Sequence, residues 1–292
     1  MARQLSELVP KLPPGVRSAG RKGLLGLRKL SAARRPLPDF IVIGAMKAGT
    51  TALWAYLREH PEIGGPPWKE TSHFDRYGAT GERAYRAHFP LGVKDGTLVG
   101  EASPGYLFHP VVPERVHALM PDVRLVVLLR DPVARAFSHY QHAVGLGRED
   151  LPFDEALAAE PRRLAGVHER MLADPAYFSH DWWDHSYVSR GLYAEQLERW
   201  LAVFPREQLL VLTSDALAQD TDATYNRVLA HIGARPHSLP AYPRVYENTY
   251  KAAPMTEAAR AALRERYAGP DAQLDALEVL DGPVPWRDRS GR

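Results

Sequence analysis

From Pro38 onward, short apolar runs alternate with amphipathic segments. The first run, residues 39–44, carries four consecutive apolar side chains from Phe40 to Ile43 and reads as a strand buried on both faces. A helix is predicted over about residues 50–58, followed by another apolar run at 97–101. Pro113, tolerated in a first helical turn, opens a short helix whose Val116, Leu119 and Met120 share one face. Residues 123–129 form a second strong strand, and Asp131 and Pro132 start a helix that runs to about Val144. After a long irregular stretch, Leu197, Trp200, Leu201 and Phe204 recur at helical spacing, and residues 208–212 are a further buried strand. Tyr225, Val228, Leu229 and Ile232 mark one more helix, closed by Gly233.

Strands too apolar to face water, alternating with helices, predict an α/β fold: a three-layer α/β/α arrangement around a central parallel sheet. Ligands in such sheets bind beyond the carboxyl ends of the strands, which directs attention to the residues just after 43, 101 and 129. Residues 39–292 read as a single domain, with a substrate-facing insertion at about 145–190. No internal repeat is visible.

Composition narrows the function classes. A chain of 292 residues, 45% hydrophobic and 25% charged, can bury a substantial core, which excludes disorder and fibre. Cysteine is absent, so disulfides, thiolate nucleophiles and cysteine-ligated metal centres are excluded, and a reducing compartment suits the chain. The expected localisation is cytoplasmic, and the alanine and arginine richness reads as bacterial. The apolar runs fall far short of the roughly 18–20 residues that span a bilayer. The net charge of +2 conceals an asymmetry: residues 1–38 hold nine bases and one acid, whereas the rest holds 28 bases and 34 acids. Any anion must therefore be held by locally focused charge. The basic leader, 1–38, is expected to be flexible or peripheral. It reads as an arm for an anionic surface or a transit-like peptide, without the apolar core of a secretory signal.

Residues 44–51 lie between a predicted strand and helix and offer Gly44, Gly49, Lys47, Thr50, Thr51 and successive backbone N–H groups to an anion, which makes a P-loop-like phosphate cradle. In nucleotide triphosphatases a lysine directly follows the second glycine. Here Thr50 follows Gly49, and the lysine lies inside the loop. The second strand ends in Arg130, where a triphosphatase would need a carboxylate for magnesium.

With its lysine inside the loop, the chain resembles the sulfotransferases that use 3′-phosphoadenosine 5′-phosphosulfate (PAPS), and most closely their heparan-sulfate-like branch. Residues 41–53 resemble that family's 5′-phosphosulfate loop, 125–140 its 3′-phosphate element, and 69–75 the segment carrying its catalytic base. Residues 100–107, 192–205 and a loop near Tyr250 and Lys251 extend the likeness over most of 39–280.

The resemblance implies transfer of a sulfuryl group from PAPS to a hydroxyl, less readily an amine, of a small-molecule, glycolipid or saccharide acceptor, leaving 3′-phosphoadenosine 5′-phosphate (PAP). It implies that Lys47, Ala48, Gly49, Thr50 and Thr51 hold the 5′-phosphosulfate, with the Lys47 ammonium countering charge on the leaving phosphate. Glu70 is the implied general base. His73 is a candidate to orient Glu70 or the acceptor, or to steady the sulfuryl oxygens. It stands one residue beyond the family's usual position, where Ser72 falls. Arg130 and Ser138 are implied ligands of the 3′-phosphate, while nearby Arg135 reads as a surface residue. Tyr250, Lys251, Ala252 and Ala253 fall where relatives place a nucleotide-covering Lys-Gly-Arg loop. Ala252 and Ala253 replace its glycine and arginine, with Arg244 as a substitute contact. Ala102 stands where glycan-modifying relatives often carry a second lysine, which points away from a polyanionic glycan acceptor.

Within 145–190, the aromatic and histidine cluster at 177–187 reads as a wall of the acceptor pocket, with Trp182, Trp183 and Arg190 as candidate substrate contacts. His180, Asp181, Asp184 and His185 read as a packed, hydrogen-bonded loop and not as a metal site; no metal and no nucleic-acid partner is implied. A peripheral contact through the leader remains one reading. Two competing classes are a magnesium-dependent P-loop phosphotransferase, which the position of Lys47 argues against, and a non-catalytic nucleotide-binding or membrane-associated protein.

Overall fold

The computed structural model describes residues 14–76, 80–174, 176–243 and 253–287. Five strands, β1 (Phe40–Gly44), β2 (Ile63–Gly64), β3 (Leu98–Ala102), β4 (Arg124–Leu129) and β5 (Leu209–Thr213), form one parallel sheet in the order β2-β3-β1-β4-β5. In chain order the helices are α1 (Pro14–Arg28), α2 (Thr50–Glu59), α3 (Glu82–Arg86), α4 (Val112–Leu119), α5 (Pro132–Gly145) and α6 (Phe153–Leu164). They continue with α7 (Val167–Ala173), α8 (His180–Asp184), α9 (Tyr193–Leu201), α10 (Ser214–Gln219), α11 (Thr221–Ile232) and α12 (Glu257–Ala276).

Strand alternation separates two cores. Ile41, Ile43, Leu125, Val127 and Leu129 pack on one face with Leu197, Trp200 and Phe204 of the α9 region. Phe40, Val42, Val126 and Leu128 pack on the other with Leu53, Leu57, Tyr225 and Val228 of α2 and α11. Both faces of the sheet are thus covered by helices, giving the three-layer α/β/α architecture expected from the apolar strands. Chain order reverses at β1, whose neighbours are β3 and β4, so the carboxyl end of β1 faces the crevice where such sheets bind ligands.

The predicted elements match those observed to within a residue or two; the short elements β2, α3 and α10 are not predicted, and three larger differences follow. The stretch at 145–190 is largely helical, in the short elements α6, α7 and α8. Pro161 inside α6 and Gly166 at φ +70° before α7 break it into pieces too short to show a period. Second, α12 has its buried side chains at Ala259, Leu263, Tyr267, Asp271 and Leu274, a regular stripe disguised by an internal Gly269 and Pro270. Arg264 of α12 pairs at 3.0 Å with Asp131, which also caps α5 by accepting from the Val133 N–H. Third, part of the basic leader is folded: α1 leads into a 3₁₀ segment, Lys29–Arg34, and the buried Arg35 donates to the Phe89 carbonyl at 2.6 Å. Among the described residues, no helix is long and apolar enough to cross a membrane.

The sheet tolerates little added volume at its centre. Gly100 of β3 lies against Phe40 of β1, and a Cβ there would overlap the phenyl ring. Gly100→Ala should destabilise the fold by about 1–3 kcal/mol, with a Tm lower by several degrees in thermal unfolding. Adding Phe40→Leu should restore part of the loss; an unchanged Tm for Gly100→Ala would refute this packing.

Candidate functional site

Where β1 ends, the chain turns through Lys47, at φ +71°, and Gly49, at φ +96°, into α2. No side chain caps α2, so the N–H groups of its first turn point into the turn that contains Lys47. The turn is braced from β4 and β5. Arg130, just after β4, donates to the Lys47 carbonyl at 3.0 Å, and the Ser214 hydroxyl lies 2.8 Å from the Ala48 carbonyl and 2.9 Å from that of Leu129.

A cavity of about 500 Å³ opens over these strand ends. It is lined by Lys47, Gly49, Thr50, Thr51, Arg130 and Ser138, together with Lys69, Glu70, Gly105, His142, Arg148 and Trp183. Burial pushes the Lys47 ammonium down to about 8, and the Arg130 guanidinium adds to the effect while Glu70 opposes it. Lys69 donates to Glu70 Oε1 at 2.8 Å. Two cations crowded together and a carboxylate lining the same cavity suit an anionic ligand.

The segment bearing Glu70 is held in an unusual conformation. Glu70 and Ser72 adopt φ +66° and +48°, left-handed values that cost a non-glycine residue about 1–2 kcal/mol each. The surrounding bonds fix it. Its N–H groups at Glu70, Ser72 and His73 donate to the Ala102 carbonyl, Ser103 Oγ and the Tyr106 hydroxyl at 3.2, 3.2 and 3.0 Å. Beneath them lies Glu101 of β3, 1% exposed, whose carboxylate accepts from the hydroxyls of Thr71 (2.7 Å), Ser103 (2.8 Å), Tyr85 (2.7 Å) and Tyr106 (3.1 Å). Burial raises the Glu101 pKa and the four hydroxyls pull against that rise.

The expected site residues divide. Lys47, Gly49, Thr50, Thr51, Glu70, Arg130, Ser138 and Trp183 meet around the cavity. Ala48 is buried and contributes its carbonyl to the loop brace. His73 turns away into an aromatic nest, 4.8 Å from the Tyr85 ring and 4.9 Å from that of Phe74, where burial pushes it down to about 4. Trp182 stacks on Phe108 at 4.2 Å, outside the cavity lining. Arg190 lies beneath that lining, 4.6 Å from the Phe108 ring and 5.6 Å from the Trp183 ring, bonded to Ser186 Oγ at 2.7 Å. Ala102 is buried. Arg135 corrects the reading as a surface residue: it is fully buried and donates to the Tyr187 carbonyl. Its position on the inner face of α5 carries it under the insertion. In the cluster at 177–187, His185 and Asp181 pair at 2.8 Å and Asp184 pairs with Arg148 at 2.7 Å. Ala253 is exposed, while Arg244, Tyr250, Lys251 and Ala252 lie outside the described residues.

Several residues of the site escape sequence reasoning. His142 stands one turn after Ser138 on α5, so placing Ser138 in the site already places His142 beside it. His139, also at the cavity, is buried with its pKa lowered by desolvation and then by Arg135. Asp75 ends the same segment as Glu70 and lies behind Gly105, where a Cβ would strike its carboxylate. Neither Asp75 oxygen has a hydrogen-bond partner, and burial, then Glu70, push its pKa up to about 8.

Comparison with known proteins gives a consistent picture. Residues 37–258 match the family described as "Sulfotransferase domain". The human heparan sulfate glucosamine 3-O-sulfotransferase 6 is 32% identical over 253 residues, covering 86% of this chain and 68% of that protein. The human heparan sulfate glucosamine 3-O-sulfotransferase 3A1 is 34% identical over 206 residues, 70% of this chain and 47% of that protein, so the chain spans about half of its length. The crystal structure of a sulfotransferase from Alicyclobacillus acidocaldarius superposes with a TM-score of 0.66 at 34% identity, covering 83% of this chain and 96% of that one.

The Asp75 environment makes a prediction independent of activity. An aspartate titrating from 3.8 in the unfolded chain to about 8 in the folded one keeps, between those values, a proton that the unfolded chain has released. Stability should therefore fall as pH rises from about 4 to about 8, then level off. Asp75→Asn should flatten this slope, gaining at least about 1 kcal/mol on wild type between about pH 5 and pH 8 in urea unfolding. Parallel pH profiles for the two proteins would refute the assignment.

Proposed function

The chain belongs to the sulfotransferase family that draws its sulfuryl group from PAPS, and from that premise we propose that it sulfates a hydroxyl of a saccharide, with Glu70 as general base and Lys47 as the cation opposite the leaving phosphate. The observation that carries this reading is the meeting of Lys47 and Glu70 in one cavity with Arg130 and Ser138.

The donor set fits the nucleotide. Lys47 and Arg130 repel one another in a half-buried place, a tension that a phosphate between them would relieve. Thr50, Thr51 and the first-turn N–H groups of α2 would hold the 5′-phosphosulfate, and Arg130 with Ser138 the 3′-phosphate. When bound, PAPS supplies an activated sulfuryl group whose leaving group is a phosphate. The chain's own contribution is alignment and charge. Lys69 occupies Glu70 Oε1, which would leave Oε2 to take the proton of an acceptor hydroxyl. Lys47 would counter negative charge on the leaving phosphate of the bound donor. The Trp183 ring offers a flat apolar surface suited to a sugar ring, and Lys69 and Arg148 beside it suit acceptors with acidic or hydroxyl groups. The relatives named as heparan sulfate glucosamine 3-O-sulfotransferases support a saccharide as the acceptor class.

Three measurements test this reading. PAP at about 100 times its Kd should stabilise the protein by roughly 2.7 kcal/mol in thermal unfolding, and ATP with magnesium should not; the reverse pattern would overturn the donor assignment. Glu70→Gln should keep PAP affinity and lose about 10²–10⁴ in transfer of labelled sulfate from PAPS to a panel of glucosamine-containing saccharides. Wild-type turnover in that variant would remove Glu70 from the role, and label entering only non-saccharide hydroxyls would overturn the acceptor class. Because Lys47 loses its proton near pH 8, PAP affinity should weaken as pH rises above about 8, and Lys47→Met should abolish that limb of the profile.

A further inference from the structure

Helix α1 is attached to the protein by the wrong face. An amphipathic helix ordinarily turns its apolar stripe to the core and its charges to water. Here the arginines face inward. Arg21 donates to the Glu70 carbonyl at 2.9 Å and lies 4.7 Å from the centre of the Trp68 ring, and Arg28, two turns later, donates to the Phe89 carbonyl. Leucines face outward: Leu24 is 44% exposed, Leu27 69%, and Leu30, in the 3₁₀ continuation, 82%. They account for half of the large apolar side chains that are exposed among the described residues, and the others, Leu91, Leu146 and Leu172, are scattered singly. Lys22, Lys29 and Arg34 are exposed as well.

A protein does not keep three leucines in water on one short element without a surface to receive them. Charge identifies that surface. Residues 1–38 hold nine bases and one acid, the reverse of the acid-rich remainder, so an apolar partner that is also anionic is favoured over a second copy of this basic face. We infer that the leucine stripe of α1 and its 3₁₀ extension is a docking surface for an anionic lipid bilayer, with Leu24, Leu27 and Leu30 entering the acyl boundary and the net positive charge of the leader drawing it to the headgroups. A helix lying in that plane sinks about 5–10 Å into the interface, within the reach of leucine side chains. The inward arginines hold the helix on the protein, so docking needs no rearrangement of the fold.

The test uses the full chain and flotation with phosphatidylcholine vesicles, with and without phosphatidylglycerol. Wild type should float with the phosphatidylglycerol vesicles about tenfold more than with phosphatidylcholine alone, and high salt should weaken the binding. The double variant Leu27→Glu, Leu30→Glu should lose about tenfold of that binding while its Tm and PAP affinity stay at wild-type values. Equal flotation of wild type and variant would overturn the inference, as would absence of wild-type binding to either vesicle. Sedimentation that finds a dimer split by the same substitutions, with no vesicle binding, would overturn it in favour of self-association.

Discussion

The carboxylate of Glu101 is the constraint on which the site depends. It stands at the end of a central strand, out of contact with water, and accepts hydrogen bonds from four hydroxyls. A buried acid is expensive unless its oxygens are satisfied. Here the satisfying groups are themselves structural: Thr71 belongs to the segment of Glu70, Tyr85 to α3, and Ser103 and Tyr106 to the turn after β3. Ser103 and Tyr106 each also accept a main-chain N–H from that segment. One carboxylate thus converts the rigidity of the sheet into a defined position for the Glu70 segment, in which Glu70 and Ser72 would otherwise relax from their left-handed angles. Partial loss of such a network leaves several buried hydroxyls unsatisfied together.

The same logic runs through the cations. Lys47, Arg130, Arg135 and Arg190 are all substantially buried, and burial or mutual repulsion disfavours the charge on Lys47 and Arg190. Arg135 and Arg190 each donate to the framework, to the carbonyl of Tyr187 and the hydroxyl of Ser186, although among the described residues other buried guanidinium nitrogens of both find no hydrogen-bond partner. Lys47 and Arg130 face the cavity. The difference is one of position along the strands: charge placed past a strand end reaches the crevice, whereas charge on the inner face of a covering helix meets only protein.

That distinction also explains how much of the molecule was readable in advance. The layered architecture was legible because parallel strands buried on both faces leave uninterrupted apolar runs between amphipathic helical segments. The cluster of Lys47, Glu70, Arg130 and Ser138 was legible because motif order along the chain maps onto adjacent strand ends. His73 was placed by a family pattern shifted by one residue, and Trp182 and Arg190 by chemistry alone, neither of which tells which side of a turn a side chain leaves from. His73 is drawn into the rings of Tyr85 and Phe74, and Trp182 onto Phe108, because burying an aromatic surface outweighs exposing it. Asp75 and His142 went unremarked because their roles depend on packing and on one helical turn. Arg21 reaches Glu70 across 49 residues of sequence, a contact no local pattern encodes.

The residues lining the cavity have different structural origins. Lys47, Thr50, Thr51 and Arg130 sit at strand termini and their turns, inseparable from the sheet. Trp183 belongs to the helical insertion, which is pinned by two buried carboxylates of its own: Glu149 binds Arg163 and the Tyr187 hydroxyl, and Glu160 binds the N–H groups of Val188 and Ser189. Those pins lie away from the cavity lining. A lineage carrying this fold can therefore exchange the residues around Trp183 while inheriting the strand-end turns intact, so that part of the cavity lining is open to change by few mutations and without passing through an unfolded ancestor.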